Sequence, residues 1–473
     1  MATFKLFNNH LRISFLVLGA FEFLLFFSAV LIAAAIRFNT IDIFSPVIAE
    51  SMGNILLKAF IFALMHILGM TALGQYQAEQ LRTAHSFTQM FSRIFVSMFL
   101  VTVGLTVLYF ALPTTQLGRG VAIIAFFLSL ASVITFRQIY FHSVDGNVFI
   151  SRVLIYGTGE RANSILRDTN YPEGSQSFKI KGFIATPNQV RTVPDYLVID
   201  LQTSLLEKAR ELQINEIILA MEDRRQQFPT EDLLACKLAG INIIDPVSFL
   251  EREQGKVNLQ MMNPSWMIFS DGFTVSRVKE TISRTFDLIA SLSILILTLP
   301  ILLLTAFLIA LEDGFKAPVF YRQVRVGKNG KEFDLLKFRS MSVNAEKNGA
   351  QWAAQNDTRV TRIGKIIRKY RIDELPQILN IIKGDMRLVG PRPERPEFVQ
   401  RLSQNIKMYE QRHSVKPGLA GWAQLKYPYG ASDEDAYEKL QYDLYYVKNA
   451  NPVMDFFILL QTLEVVLFGK GVR

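Results

Sequence analysis

The chain has 473 residues, of which 50% are hydrophobic and 20% are charged, and its mean hydropathy is +0.22. This composition excludes a disordered chain, and its charge content is below the ~25% usual for soluble globular proteins, so we expect part of the chain to lie in lipid. The single cysteine, Cys236, excludes an internal disulfide and a cysteine-based zinc cluster. The net charge of +9 is unevenly placed, because 21 Lys and Arg stand against 10 Asp and Glu between Lys316 and Arg412. We therefore expect an anionic partner to bind in that basic segment.

Four apolar stretches in the first 140 residues predict membrane spans. They are Ile13–Ile36, Ile55–Leu73, Phe95–Leu112 and Val121–Phe136. Each is near the ~17–25 residues that cross a bilayer core, and the first is too long for a signal peptide. Basic residues before the first stretch, between the second and third, and after the fourth predict that the N-terminus and everything after residue 140 are cytoplasmic. Buried helices of a large soluble domain are the alternative.

The next region has the alternating pattern of an α/β domain. An apolar strand, Val153–Tyr156, precedes the turn Gly157-Thr-Gly159-Glu-Arg-Ala162, which has the G-x-G-x-x-A spacing of a Rossmann phosphate turn. Further strands are predicted at Tyr196–Ile199, Glu216–Leu219 and Gly240–Asp245. The alternation favours a parallel sheet. No acidic residue ends a clear second strand, and Thr169–Ser177 is predicted to be a loop, so we favour a structural or regulatory role over dinucleotide chemistry.

A fifth apolar stretch, Leu288–Leu311, has 24 consecutive uncharged residues. Its length predicts a span, but a crossing would place the basic C-terminal region outside the cell. Pro300 lies at its midpoint and interrupts the helical hydrogen-bond ladder. We therefore predict a re-entrant helix-break-helix at about residues 284–312, with Ser291, Ser293 or Thr298 bonding the freed backbone groups, and keep a simple fifth span as the alternative.

The chemistry is predicted in the basic segment, where Asp373 and Glu374 follow an arginine-rich run containing Arg368. We expect a helix here that Pro376 ends or kinks. Adjacent carboxylates among guanidinium groups suggest a phosphate site with a divalent metal, one acid serving as nucleophile and the other as a metal ligand. Surface ion pairs are the alternative, and nucleic-acid binding fits poorly beside membrane segments.

Several long motifs make the last 190 residues recognisable. They are Pro318–Gly327, Lys337–Met341, Arg371–Gln377, Asn380–Glu394, Val415–Gln424 and Tyr442–Tyr446. With them the sequence resembles the bacterial sugar transferases of the polyprenyl-phosphate hexose-1-phosphate transferase family, in the long form of the monotopic phosphoglycosyl transferases. The four predicted spans and the Rossmann-like region are also similar to the N-terminal half of the long members. The ending Leu460–Gly471 is similar to the undecaprenyl-phosphate glucose phosphotransferase subgroup found with exopolysaccharide clusters.

The resemblance implies roles for individual residues. Asp373 matches the nucleophilic aspartate, Glu374 the ligand of Mg²⁺ (with Mn²⁺ as an alternative), and Arg368 a further catalytic residue. Arg392 matches a phosphate or nucleotide contact. Other substrate-binding residues are expected at Lys337, Arg339, Gln377 and Asp443, and the helix break at Pro300. Arg371 departs from the family, because many members have Ser or Thr there.

The implied activity transfers a sugar-1-phosphate from a UDP-sugar to undecaprenyl phosphate and releases UMP, through an aspartyl phosphosugar intermediate. It would begin exopolysaccharide, capsule or O-antigen-type assembly. The expected partners are the UDP-sugar, undecaprenyl phosphate and membrane lipid but no nucleic acid, and a homodimer is left open. We expect a multi-pass protein of the bacterial inner membrane whose catalytic domain lies on the cytoplasmic face.

The predicted organisation has three parts. These are a four-helix transmembrane bundle at 1–145, a cytoplasmic Rossmann-like α/β domain at 146–270 and a mainly α-helical catalytic domain with the re-entrant helix at 271–473. Near the C-terminus, Phe456–Leu460 is predicted to lie either in the membrane interface or in the core of the catalytic domain.

Two other function classes compete with this reading. A membrane-anchored nucleotide-sugar dehydratase needs an intact Rossmann fingerprint and a Tyr-x-x-x-Lys pair, which the sequence lacks. A non-enzymatic membrane sensor with a nucleotide-binding domain leaves the C-terminal motifs unexplained.

Overall fold

The computed structural model describes residues 3–6, 9–42, 44–73, 75–76, 87–143, 150–168, 178–186, 190–222, 228–262, 272–273, 277–343, 345, 359–427, 430 and 432–468. The chain divides into two compact units, one formed by residues 1–6 and 10–254 and the other by residues 7–9 and 255–473. The predicted domain boundaries at 145 and 270, and the predicted loop at Thr169–Ser177, lie outside the described residues.

The first unit begins with two short paired strands and continues with helices. They are β1 (Thr3–Leu6), β2 (Asn9–Arg12), α1 (Ile13–Phe38), α2 (Pro46–Met52), α3 (Ile55–Ala72), α4 (Phe87–Ala111) and α5 (Arg119–Ser143). The four apolar stretches predicted from the sequence are all helical, in α1, α3, α4 and α5. Each of these helices is long and apolar enough to cross a membrane. They share one apolar core that includes Phe26, Phe62 and Met98.

A buried polar network joins these helices. Arg137 on α5 donates two hydrogen bonds to Glu22 on α1, from Nε to Oε1 over 2.6 Å and from Nη2 to Oε2 over 3.0 Å. The Tyr76 hydroxyl donates to Glu22 Oε2 over 2.5 Å, and Gln75 Nε2 donates to Ser97 Oγ on α4 over 3.0 Å. Glu22 and Arg137 are almost inaccessible to solvent. An ion pair with two parallel bonds offsets part of the cost of burying both charges.

The α/β part of the first unit confirms the predicted parallel sheet. Its elements are β3 (Ser151–Tyr156), α6 (Glu160–Asp168), β4 (Phe178–Ile184), β5 (Val198–Ile199), α7 (Leu205–Glu211), β6 (Glu216–Leu219), α8 (Thr230–Leu238), β7 (Asn242–Ile244) and α9 (Pro246–Gln254). The strand order is β5-β4-β3-β6-β7, and all neighbours run parallel. The sequence analysis did not predict β4, because Lys179 and Lys181 interrupt its apolar pattern.

The phosphate-type turn after β3 contacts the segment that follows β6. Gly157 has φ of +129°, and a Cβ on it would come within 2.5 Å of the Ala220 carbonyl oxygen, so only glycine fits. At the N-terminus of α6 the backbone N–H of Arg161 donates to Glu222 Oε1 over 2.8 Å. A carboxylate thus lies where this motif receives a pyrophosphate. The structural or regulatory role of this domain stays a prediction.

The second unit is mainly α-helical, with two small sheets. Its elements are α10 (Arg277–Glu312), β8 (Phe320–Val326), β9 (Glu332–Phe338), α11 (Arg362–Lys369), α12 (Gln377–Lys383), β10 (Arg387–Val389), α13 (Pro396–Asn405), β11 (Gly418–Ala420), α14 (Trp422–Lys426), α15 (Asp433–Asn449) and α16 (Pro452–Phe468). Strands β8 and β9 form an antiparallel hairpin, and β10 and β11 pair in parallel.

Helix α10 contains the fifth apolar stretch and continues through Pro300, so the predicted break of the helix at Pro300 is wrong. A proline removes one hydrogen bond from the ladder and can kink a helix without ending it. Helix α10 too is long and apolar enough to cross a membrane. The Ser293 hydroxyl donates to the Ile289 carbonyl and that of Thr298 to the Ile294 carbonyl, so both bond one turn back along the helix. Such bonds tend to bend helices. The carbonyl deprived of its partner by Pro300 is that of Ile296. Ser293 and Thr298 bond other carbonyls, and the Ser291 hydroxyl has no partner among the described residues, so the predicted bonding of the freed carbonyl is wrong. The re-entrant path stays a prediction.

Both halves of α10 pack against other elements of the second unit, while apolar side chains in its middle are exposed. Phe286 and Ile294 join the apolar cluster around β10 and α16, whereas Leu302 and Ile309 join a cluster with Phe338 and Ile367. Between them, apolar side chains such as Leu297 are 75% exposed. This exposed arc is the part of the unit suited to lipid.

Helix α16 contributes one face to the core. Met454 and Ile458 are buried in the cluster that also contains Leu388, while Phe456 is 36% exposed. Of the two locations predicted for Phe456–Leu460, the core is therefore correct for one face of this helix.

Candidate active site

Asp373 and Glu374 lie in a tight turn between two helices. Helix α11 ends at Lys369, Arg371 adopts a left-handed conformation with φ of +57°, and Ile372–Glu374 forms a single 3₁₀ turn. The helix predicted across this region is therefore wrong, because a left-handed residue cannot continue a right-handed helix. Pro376 does not end a helix but stands at the start of α12, where its missing N–H costs nothing. Strained backbone of this kind is typical of functional sites.

Glu374 is buried and held by two arginines. Arg392 Nη2 donates to Glu374 Oε1 over 2.7 Å, and Arg371 Nη1 donates to Oε2 over 3.5 Å. Burial alone would raise the pKa of this carboxyl, but the charges of Arg392, Lys337 and Arg371 outweigh it and hold the pKa well below its usual range. Glu374 is therefore a fixed anion at any physiological pH.

Asp373, next to Glu374 in the sequence, has its pKa shifted in the opposite direction. Among the described residues, its carboxyl interacts with neighbouring charges and not through hydrogen bonds. Burial, followed by the neighbouring charge of Glu374, raises the pKa of Asp373 to about 6, and Lys337, Arg368 and Arg392 offset part of that rise. At neutral pH this side chain is therefore mostly an ionised carboxylate, the form that a nucleophile requires.

Lys337 faces the pair from the hairpin. It lies on β9 opposite Tyr321 on β8. Burial, followed by the charges of Arg392 and Arg325, lowers the pKa of Lys337 to about 8, although Glu374 and Asp373 favour its charged form. Asn380 on α12 fixes the strand, because its amide nitrogen donates to the Asp334 carbonyl and its amide oxygen accepts from the Leu336 N–H.

Arg392 is positioned by the parallel pair β10 and β11. The N–H of Gly390 donates to the Ala420 carbonyl over 2.9 Å, and that of Gly418 donates to the Pro391 carbonyl over 3.0 Å. A Cβ on Gly418 would lie 2.0 Å from the Gly390 nitrogen, so the two segments approach as only glycine permits. Gly418, in the motif Val415–Gln424, thus helps to position Arg392, in the motif Asn380–Glu394.

Asp443 lies behind Arg392. It is 2% exposed and forms an ion pair of 2.7 Å with Arg412. Arg412 Nη2 also donates to the Arg392 carbonyl over 2.9 Å. Burial raises the pKa of Asp443 to about 6. Asp443 was predicted to contact the substrate. In the structure it pairs with Arg412, which in turn holds the main chain of Arg392.

The other predicted residues take several places. Arg368 lies in the last turn of α11, and its Nη1 is buried without a hydrogen-bond partner among the described residues. Gln377 is buried at the start of α12. Arg339 donates from Nε to the Pro318 carbonyl over 2.7 Å and pairs with Asp313. Its polar contacts are thus made just beyond the end of α10 and not with the carboxylate pair.

Two arginines of this cluster were not predicted as site residues. Arg412 supports Arg392 as described, and Arg325 Nη1 donates to the Pro393 carbonyl over 3.0 Å. Burial and the nearby charges of Arg392 and Arg395 lower the pKa of Arg325 to about 10. Strand alternation could have identified Arg325, because it shares a face of β8 with Tyr321, which pairs with Lys337.

The carboxylate pair suits a magnesium ion bound together with substrate phosphates. The described residues contain no group of three or more His, Cys, Asp or Glu side chains able to hold a metal. Mg²⁺ is commonly held by one or two carboxylates, water and phosphate oxygens, so a full protein cage is not required. Glu374, ionised and adjacent to Asp373, fits that mode.

Comparison with known proteins identifies the family of the C-terminal region. A model of the bacterial sugar transferase family matches residues 278–469. An uncharacterized sugar transferase of Bacillus subtilis is 40% identical over 157 residues, which are 33% of this chain and 74% of that protein. The chain belongs to the bacterial sugar transferase family.

Other relatives carry more specific names. The UDP-N-acetylgalactosamine-undecaprenyl-phosphate N-acetylgalactosaminephosphotransferase of Aeromonas hydrophila is 48% identical over 168 residues, 36% of this chain and 39% of that protein. The UDP-glucose:undecaprenyl-phosphate glucose-1-phosphate transferase of Xanthomonas campestris is 40% identical over 168 residues, 35% of each. The matches thus span little more than a third of these two sugar transferases.

Proposed function

We propose that this sugar transferase moves a sugar-1-phosphate from a UDP-sugar to undecaprenyl phosphate and releases UMP. The observation that carries the proposal is Asp373, a carboxylate free of hydrogen bonds in the described structure and surrounded by Lys337, Arg368 and Arg392. The names of the Aeromonas and Xanthomonas relatives agree with this substrate class.

The first step is attack of an Asp373 carboxylate oxygen on the sugar-bearing phosphorus of the donor. The new bond joins Asp373 to that phosphorus, and the bond from phosphorus to the bridging oxygen of UMP breaks. Lys337, Arg368 and Arg392 supply positive charge for the phosphoryl oxygens. Magnesium, which Glu374 would hold, would further neutralise the diphosphate.

The second step regenerates the enzyme. An oxygen of undecaprenyl phosphate attacks the same phosphorus, the bond to Asp373 breaks, and the carboxylate returns to its ionised form. The product is undecaprenyl-diphosphate-sugar. This two-step scheme is ping-pong, since UMP leaves before the lipid reacts.

We further propose that α10 enters the membrane and returns to the cytoplasmic face of the bacterial inner membrane. Its two halves pack against the same catalytic unit. A full crossing would separate them by about 30 Å of hydrocarbon and would draw the charged helix α11 through lipid, which is costly. A lipid phosphate acceptor also requires a site at the interface.

The test uses membranes containing the full chain, undecaprenyl phosphate and a panel of UDP-sugars, with UMP release as the readout. Wild type is expected to release UMP with at least one donor, and Asp373→Asn to release none above background. Full release by Asp373→Asn would contradict the nucleophile assignment. Since relatives are named for both glucose and N-acetylgalactosamine, the panel also identifies the sugar.

The magnesium and re-entrant proposals have their own tests. Chelation is expected to abolish UMP release, and Mg²⁺ or Mn²⁺ to restore it. A reporter fused after Asp313 is expected to read cytoplasmic, and a periplasmic reading would mean that α10 crosses. If none of the UDP-sugars gives UMP, the transferase proposal fails and the dehydratase and sensor alternatives take its place.

A further inference from the structure

The two ends of α10 make polar contacts with the two helices that flank the carboxylate turn. Helix α11 leads into the turn and α12 leads out of it, with seven residues between them. These contacts go beyond the apolar packing of α10 described above.

At its C-terminal end, α10 caps the start of α11. Glu312 Oε1 accepts hydrogen bonds from the backbone N–H of Arg362 over 2.9 Å and of Ile363 over 3.3 Å. Thr361 Oγ1 accepts from the next N–H, that of Gly364, over 2.9 Å. The first N–H groups of a helix have no partner within it, and a carboxylate there also interacts favourably with the helix dipole. Glu312 therefore fixes where α11 begins.

Near its other end, α10 caps the end of α12. Arg284 donates from Nη1 to the Ile381 carbonyl over 2.6 Å and from Nη2 to the Ile382 carbonyl over 2.7 Å. These are among the last carbonyls of α12, which ends at Gly384 in a left-handed conformation with φ of +100°. A guanidinium at a helix C-terminus satisfies free carbonyls and complements the dipole.

We propose that Glu312 and Arg284 are positioning residues, which hold the Asp373–Glu374 turn by fixing the helix on each side of it. In the described part of the chain, neither residue forms a hydrogen bond or ion pair with the carboxylate pair. The turn contains a strained left-handed Arg371, and such a conformation persists only where its surroundings define it. One membrane helix thus supports the reacting carboxylates from two directions. The inference rests on the proposed function, since the reaction requires that turn.

The experiment compares Glu312→Ala and Arg284→Ala with two matched controls in the full chain. Glu280→Gln removes an exposed carboxylate on the same helix, which pairs with Lys328 at 3.1 Å, and Lys279→Ala removes an exposed cation there. UMP release is measured with the donor concentration varied. Amide hydrogen exchange is followed over the Asp373–Glu374 turn, called the dyad turn below.

Loss of either cap is expected to lower kcat about 10- to 100-fold, since small displacements of a nucleophile have such effects. In the cap variants, the KM for the donor should change by less than about 2-fold. In the two control variants, both kcat and KM should change by less than about 2-fold. Amides of the dyad turn, which neither cap touches, should exchange faster in both cap variants. Glu312→Gln keeps an acceptor oxygen and Arg284→Lys keeps a donor, so both are expected to retain folding and most of the activity.

Unchanged exchange in the dyad turn would overturn the inference, even where the capped amides themselves exchange faster. Activity that falls only in proportion to the amount of folded protein would overturn it as well. If wild type releases UMP from none of the UDP-sugars tested, the proposed function fails. Hydrogen exchange then still decides whether Glu312 and Arg284 hold the Asp373–Glu374 turn.

Discussion

Arg392 Nη2 donates a hydrogen bond to Glu374 Oε1 over 2.7 Å, and the backbone carbonyl of the same arginine accepts one from Arg412. Arg392 is therefore fixed at both its main chain and its guanidinium. Its side chain is still 31% exposed, so it is open to a substrate as well as to Glu374. This arginine links the buried support to the open side of the site.

Replacing Arg392 is expected to impair the reaction strongly. Arg392→Ala should lower kcat about 10²–10³-fold, the usual effect of losing a donor to transition-state charge. Arg392→Lys should fall between, because lysine keeps the charge but loses the planar fork. Arg401→Ala, which removes an exposed pair with Asp433, is the control. Steady-state UMP release measures all three, and equal rates for wild type and Arg392→Ala would refute the role.

The acid side of the pH profile should report Asp373. Its pKa is raised to about 6, and only the ionised carboxylate is nucleophilic, so kcat/KM should fall as pH drops through about 6. Glu374 titrates well below this range and should add no limb there. The measurement is kcat/KM for UMP release between pH 5 and 9, and a flat profile through pH 6 would exclude Asp373 as the titrating nucleophile.

The alkaline side should report Lys337. Because its pKa is lowered to about 8, the ammonium group loses its proton as pH rises through 8, and the KM for the anionic donor should increase there. Lys337→Arg is expected to move this limb beyond the measured range, since arginine stays charged. Donor KM as a function of pH in the two proteins is the readout. An identical alkaline limb in the arginine variant would assign the limb to another group.

The buried pair of Glu22 and Arg137 should determine the stability of the first unit. Removing one partner leaves an unpaired buried charge, so Glu22→Gln should destabilise the bundle by about 3–5 kcal/mol. The double change Glu22→Leu with Arg137→Met should cost less, because no charge is then left alone. Thermal unfolding in detergent compares these with the exposed Glu50→Gln, and a double change as harmful as the sum of its parts would contradict the pairing.

Hydropathy and strand alternation predicted most of the first unit. The apolar stretches became α1, α3, α4 and α5, and the short runs ending at Tyr156 and Leu219 became parallel strands. Strand β4 was missed because the prediction relied on continuous apolar runs, which Lys179 and Lys181 interrupt. Their alternation with Phe178 and Ile180 is itself typical of a strand and could have revealed it.

The site was less predictable than the fold. Composition and resemblance predicted Asp373, Glu374 and Arg392 as site residues, but helix periodicity could not reveal the left-handed conformation of Arg371 between them and α11. The ion pair between Arg412 and Asp443 likewise joins residues 31 positions apart. Such pairs carry no local sequence signal.

Each of the two compact units carries its own lipid-compatible surface, the first in four long helices and the second in the exposed middle of α10. We therefore expect each unit to attach to the membrane by itself. Proteolysis between Gln254 and Gly255 is expected to leave both fragments in the sedimented membrane fraction, so the catalytic half does not depend on the first half for its place in the bilayer.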